Sequence, residues 1–461
     1  MKLFRKDPAF YKKVFSLALP IAGQSLITIG VNMLDTIMVG NLGEAKLSAT
    51  SLANSFINIY QIFCMGLGMG ASVLVSRYWG MKYANENNEE AGLALKQTVA
   101  LMLRFTVGLA VLFMLATLIA PGAIMRLYTN EEDVIAQGII YLNYSIITYL
   151  FMGVSLVSTI VLRSVGQVHL PLLVSVGAFF VNLGANYTLI FGKFGAPRME
   201  VAGAALGTLI ARIFEAFFIV GYLFVVDKKI FFRVKDLFIK TGSLIKEYFR
   251  ISIPVLISDG ILAIGANSVA MVIGRLGAEF VAANAITTVT QQLSNVLTMG
   301  VSQASAIVTG LTLGSGDRKK TMDQGWMFLG LGFALGILSG LIVTIIKNPV
   351  INSYTNVSAG TKSIADELML AISFILVFQA TNSIMTKGVL RGGGDTKMLM
   401  LADNIFLWAV SIPLGILAGF VLKLPAFWIY VCLKSDQILK TFWCIYRLKT
   451  EKWIKKIATH A

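Results

Sequence analysis

The chain has 461 residues, 56% of them hydrophobic and only 14% charged, with a net charge of +15. Soluble domains carry about 25% charged residues, so this composition excludes a fold surrounded by water. The excess of Lys and Arg lies mostly between apolar stretches, which makes it a feature of membrane topology rather than of nucleic-acid binding.

A bilayer-spanning helix needs roughly 20 apolar residues, and about twelve stretches meet that need, which predicts an all-α membrane protein. The expected spans are 14–39, 47–76, 94–124, 134–162, 171–192, 201–226, 248–273, 280–313, 323–346, 364–390, 398–420 and 425–446. No small-residue cleavage site follows the basic start, so the first apolar run reads as span 1 rather than a removable leader. The N-terminus, the connections after even-numbered spans and the C-terminus hold most of the Lys and Arg. Because these residues collect on the cytoplasmic side, both termini are expected in the cytoplasm of a cell carrying this protein in its inner or plasma membrane.

Ionisable and polar groups inside spans mark pathways by default. In span 1, Gln24, Thr28, Asn32 and Asp35 are spaced by four, four and three residues and form one polar stripe. Span 2 carries Ser51, Asn54, Asn58 and Gln61, and span 5 adds Asn182 and Asn186. Together they suit a wet cavity in which Asp35 is the carboxylate. Such a group can exchange a proton near neutral pH or, with Asn and Thr oxygens, hold Na⁺; the alternative for Asp35 is a structural hydrogen bond at a helix end. The asparagines alone suit interhelical hydrogen bonding equally well. Met33, Tyr144 and Phe151 offer apolar and aromatic surface for a substrate. Arg212 and Glu215 in span 6 are three apart, and Asp436 and Lys440 in span 12 four apart; both read as structural pairs.

The basic stretch 228–250, with apolar residues interleaved, suits a helix lying at the cytoplasmic headgroups. Asp259 in span 7 is a second coupling candidate, with a structural or gating role as the alternative. Asn284, Thr288, Gln291, Gln292 and Asn295 in span 8 repeat the span 2 stripe, while Asp403 in span 11 has no evident partner. Cys64, Cys432 and Cys444 show no paired spacing, and His169 and His460 are the two histidines, a set too thin for a zinc or haem site.

The chain also repeats itself. At an offset of 234, Pro20 falls on Pro254, Gly40 on Gly274, Leu42-Gly43 on Leu276-Gly277, and Met65-Gly66 on Met299-Gly300. At 228, Val161-Leu162-Arg163 falls on Val389-Leu390-Arg391. Each half holds six spans, and an even number makes the halves parallel repeats. The expected division is an N-lobe at 1–226, a linker at 227–250 and a C-lobe at 251–461. No P-loop, G-x-S-x-G element or HExxH pair is present, and no connection is long enough to fold a nucleotide site. Neither enzyme chemistry nor ATP-driven pumping is expected, and no cofactor beyond a coupling ion.

Asp35-Thr36-Ile37-Met38-Val39-Gly40-Asn41-Leu42-Gly43 resembles the first-span signature of the MATE (multidrug and toxic compound extrusion) family. Leu162 through Gly166, Asn186 through Gly192, and Gly388 through Thr396 are similar to further family motifs, so that the resemblance covers nearly the whole chain. It implies a twelve-helix antiporter of two six-helix lobes, monomeric, moving cationic or amphiphilic small molecules in exchange for H⁺ or Na⁺. The family's first-span acid maps onto Asp35. In one branch a second acid follows an Asn by four residues in span 5, where this chain has Asn186 after Asn182. In another branch the acids lie in spans 7 and 10, where this chain has Asp259 and, near the second position, Asn382. The resemblance leaves the ion open, with flipping of a lipid or lipid-linked sugar as the alternative activity in the same superfamily.

Overall fold

The computed structural model describes residues 7–85, 88–242, 244–354 and 357–455; His460 and the basic residues through Lys6 lie outside them. The first half contains α1 (Pro8–Gly40), α2 (Glu44–Ala84), α3 (Glu89–Ile119), the short α4 (Pro121–Arg126), α5 (Glu132–Ser145), α6 (Thr148–Ser164), α7 (His169–Phe191) and α8 (Glu200–Gly221). The second half contains α9 (Leu244–Gly274), α10 (Ala278–Gly314), α11 (Arg318–Ser353), α12 (Ala359–Ser383), α13 (Thr396–Ile405), α14 (Ile412–Ile416), α15 (Ala426–Leu433) and α16 (Ser435–Lys449). No strand occurs among the described residues.

Ten helices among the described residues are long and apolar enough to cross a bilayer, and α5 with α6, bent by 57° at their junction, makes an eleventh span. The expected last span is broken between α15 and α16 at Lys434, and its ionisable residues set it apart from the uniformly apolar helices. The protein is therefore an all-α, multi-pass membrane protein. Short π-helical segments at Ile384–Leu390 and Phe406–Ser411 interrupt the spans around α12 and α13. Such segments re-aim side chains and are frequent at functional sites.

The repeat is visible in local geometry. The turns after α1 and α9 end on Gly43 (φ 109°) and Gly277 (φ 115°), a region closed to most L-residues. The third helix of each half opens on a side-chain cap, Asn88 accepting from the Ala91 amide at 2.9 Å and Asp317 from the Lys320 amide at 2.8 Å.

The described chain divides into two compact units, one of Gly23–Ser252 and one of Met1–Ala22 with Ile253–Ala461. The divisions fall beside Pro20 and Pro254, each inside a continuous helix. Within the second unit the start of α1 packs on α10 and α11. Phe10 meets Phe328 edge-on at 4.9 Å, and a methyl on Gly300 would lie 2.4 Å from the Ala18 carbonyl oxygen. Within the first unit the start of α9 packs on α2 and α3, where a methyl on Gly70 would lie 2.5 Å from the Ser252 Cα.

Of the stretch 228–250 expected as a headgroup helix, residues 228–242 do not form one: among these described residues only a single 3₁₀ turn, Val234–Phe238, occurs, and helix resumes with α9 at Leu244. The fully buried Asp227 carboxylate accepts from the backbone N–H groups of Lys229 (3.3 Å), Ile230 (2.8 Å) and Phe231 (3.2 Å). The Arg233 guanidinium donates to the carbonyls of Phe224 and Phe232, each at 3.0 Å. Side-chain bonds to local backbone groups compete with a helical ladder, and here they displace it.

Gly70→Leu should lower stability by about 1–3 kcal/mol through overpacking, whereas Gly108→Ala, with open space around its Cα, should be neutral. Thermal unfolding of detergent-purified protein checks both. Asp227→Ala should cost about 1–3 kcal/mol by stranding buried donors, read in the same assay.

Candidate functional site

Asp35 lies on α1 five residues before the helix end, and Asn182 and Asn186 lie one turn apart on α7. The Asn186 amide donates to Asp35 Oδ1 at 2.7 Å and contacts Asn182 Oδ1 at 3.3 Å. Both asparagines are buried, and Asn186 Oδ1 has no hydrogen-bond partner among the described residues. The close approach of α8 depends on Gly207, where a methyl would lie 2.0 Å from Asn186 Oδ1. Tyr141 on α5 donates to Asn54 Oδ1 at 3.2 Å, and both Tyr141 and Arg212 lie within electrostatic reach of Asp35. Arg212 itself pairs with Glu215 at 2.7 Å, the structural pair expected from their spacing. Asp35 thus meets an amide donor and, among the described residues, no salt-bridge partner.

The rest of the span 1 stripe separates. Gln24 is buried in another cluster, donating to Ser175 at 2.8 Å and accepting from Arg163. Thr28 is exposed, its hydroxyl donating to the Gln24 carbonyl at 3.0 Å. Asn32, Asn58 and Tyr144 are exposed on their unit, as is Met33. In the second half, Asn284 and Thr288 are half-buried, with the Thr288 hydroxyl donating to the Asn284 carbonyl at 2.7 Å. Gln291 donates to Gln379 at 3.1 Å and accepts from Tyr430 at 3.2 Å. Asn382 is buried and donates to Gln437 at 2.7 Å.

Asp259 pairs with Arg391 at 3.3 Å. Arg391 repeats Arg163 and stands against α9 as Arg163 stands against α1. Asp395 of the second-half loop is held by Arg447 and, at 3.4 Å, by Lys455, which ties that loop to the tail. Asp403 does have a partner: Lys440 lies 3.1 Å away and also 3.0 Å from Asp436. A pairing that joins α13 to α16 has no local spacing to betray it. The roles of Tyr141, Arg163 and Ser175 were likewise hidden, since each partner is more than 80 residues away. The 228-residue offset was the available signal, because it places Lys440 on Arg212.

The MatE family model matches residues 20–188 and again 254–417, two stretches that begin at the two repeated prolines. A probable multidrug resistance protein NorM of Thermotoga maritima is 25% identical, the alignment covering 97% of this chain and 94% of that protein. An uncharacterized transporter YisQ of Bacillus subtilis is 23% identical over 96% and 95% of the two chains. Among solved structures, the Vibrio cholerae MATE transporter VcmN in its bent form superposes with a TM-score of 0.85 at 16% identity, covering 97% of this chain and 99% of that one. The outward-facing structure of a multidrug resistance MATE family transporter of the MOP superfamily gives a TM-score of 0.83 at 18% identity, over 96% of each chain. The doubled family match, the end-to-end relatives and the shared fold agree with the duplicated twelve-span plan, and the chain belongs to the MatE family of membrane transporters.

Proposed function

We propose that the protein exports cationic or amphiphilic small molecules in exchange for H⁺ or Na⁺, with Asp35 as the coupling carboxylate. The observation that carries this reading is the Asn186–Asp35 contact of 2.7 Å inside an apolar bundle. A carboxylate met only by amides is free to take and release a cation, whereas one locked to an Arg is not. Asn182 and Asn186 supply amide oxygens beside it, suited either to a protonated acid or to a bound Na⁺. The names of the relatives, probable multidrug resistance proteins NorM, support a broad range of organic substrates.

In the cycle we infer, cation exchange at Asp35 changes the balance between states open to opposite sides of the membrane. The N-lobe (1–226) and C-lobe (251–461), joined by the linker at 227–250, move as two bodies, in a monomer with both termini in the cytoplasm. The exposed Thr28, Asn32, Asn58 and Tyr144, with Asn284, Thr288 and Gln291, supply polar and aromatic substrate contacts. Asp259, paired with Arg391, serves as a gating or positioning group. Flipping of a lipid-linked sugar gains no support from Arg212, whose charge Glu215 already meets.

Purified protein in liposomes, loaded with a fluorescent organic cation, tests the reading when proton and sodium gradients are imposed separately. One gradient should drive dye movement, and Asp35→Asn should reduce it to the level of empty liposomes without changing the yield of folded protein. Efflux at the wild-type rate from that variant would remove Asp35 from the coupling role. Asn186→Leu removes a charge-assisted bond worth about 1.5–3 kcal/mol and should slow gradient-driven efflux about tenfold or more in the same assay.

A further inference from the structure

The second half holds a charged cluster for which coupling at Asp35 gives no account. Lys440 on α16 bridges Asp403 and Asp436, and the three side chains are 3%, 10% and 4% exposed. Ser258 donates to Asp403 at 3.0 Å, and Ser411 to Asp436 at 3.2 Å. Gln437 donates to Asp436 at 2.6 Å and accepts from Asn382 at 2.7 Å. At the end of that chain Asn382 Oδ1 is buried with no donor among the described residues.

Two acids therefore face one base within bridging distance. Lys434 feels Asp436 but forms no ion pair among the described residues. On the surrounding elements, Arg391 is taken by Asp259 and Arg447 by Asp395, Lys387 and Lys397 are exposed, and Tyr430 and Cys444 are uncharged neighbours. A bilayer interior tolerates unbalanced charge poorly, so two carboxylates sharing one ammonium leave a charge for a further cation to meet.

The repeat gives an independent line of support. At the two offsets, Ser258, Asp403, Asp436 and Lys440 correspond to Gln24, Ser175, Thr208 and Arg212. Gln24 donates to Ser175 at 2.8 Å just as Ser258 donates to Asp403, so the frame is shared and the acids belong to the second half alone. Conversely, Asp35 and Asn186 correspond to Val269 and Leu414. Each half carries these acids at positions where the other half has none.

We propose that Asp403, Asp436 and Lys440 form a second proton-exchange site. The acid pair takes one proton from water as the Lys440 bridge opens and returns it as the bridge re-forms. The ammonium occupies the place between carboxylate oxygens where a metal cation would sit, which favours H⁺ over Na⁺. The proposal rests on the reading of the protein as an ion-coupled exporter and adds a second ion to each cycle.

The test uses the full chain in sodium-free liposomes with the voltage held at zero, and finds the dye gradient that balances an imposed pH difference. Each proton sustains about a tenfold gradient per pH unit, so the wild type should hold about a hundredfold gradient and Asp403→Asn about tenfold. The triple variant Asp403→Asn, Asp436→Asn, Lys440→Met, which leaves none of the three charges in place, should match the single variant and guards against loss from misfolding. Equal gradients in wild type and variants would overturn the proposal. Infrared spectroscopy of purified protein reads the site without transport. A protonated-carboxyl band that titrates in wild type and in Asp35→Asn, but is absent from the triple variant Asp403→Asn, Asp436→Asn, Lys440→Met, is expected; a band unchanged in that triple variant would overturn the site. Absence of proton-driven transport from the wild type with that band present would reject the exporter reading while supporting the site.

Discussion

An ionised side chain in the hydrocarbon core of a bilayer costs several kcal/mol unless something of opposite charge or suitable polarity meets it. That cost organises the polar interior of this protein. Arg212 turns to Glu215, Arg391 to Asp259, Arg447 to Asp395, and Lys440 to two aspartates at once. Arg212–Glu215 and Lys440–Asp436 lie within one helix each, whereas the other pairs join segments distant in sequence and so set register as well as balancing charge. Against that background Asp35 differs, because its direct contact is an amide. Its hydrogen-bond partner carries no charge, whereas Asp259, Asp395, Asp403 and Asp436 each meet a Lys or Arg.

The spans, the duplication and Asp35 were legible because each leaves a local or periodic mark. Apolar length identifies a helix in lipid, a constant offset identifies a repeat, and an acid in an apolar run identifies itself. The Asp35–Asn186 pairing was within reach because both residues already stood out on their own helices. The full stripe from Gln24 to Asp35 was not one site, since four-residue spacing aligns positions along a helix without saying which neighbour each meets. Gln24 answers to Arg163 and Ser175, Asp35 to Asn186. The linker misled for a similar reason: its alternating apolar and basic residues suggested a surface helix, and a single buried acid, Asp227, bound the backbone first.

The two halves have diverged unequally around a common frame. Turn glycines, helix caps, the Arg163 and Arg391 positions and the contact from α1 or α9 to the fifth span of each half persist. What changed is the chemistry mounted on that frame, with amides and a lone acid on one side and a salt-bridged trio on the other. Packing determines where helices can approach, and only small numbers of polar substitutions are needed to give equivalent positions different work.

The compact units are bounded within α1 and α9 rather than at the loop between the halves of the sequence. Each unit thus completes itself with the leading helical segment of the other half. The core of each unit is therefore built from both halves of the sequence, so neither half, cut from the other at the linker, carries all the helical segments that its unit packs together.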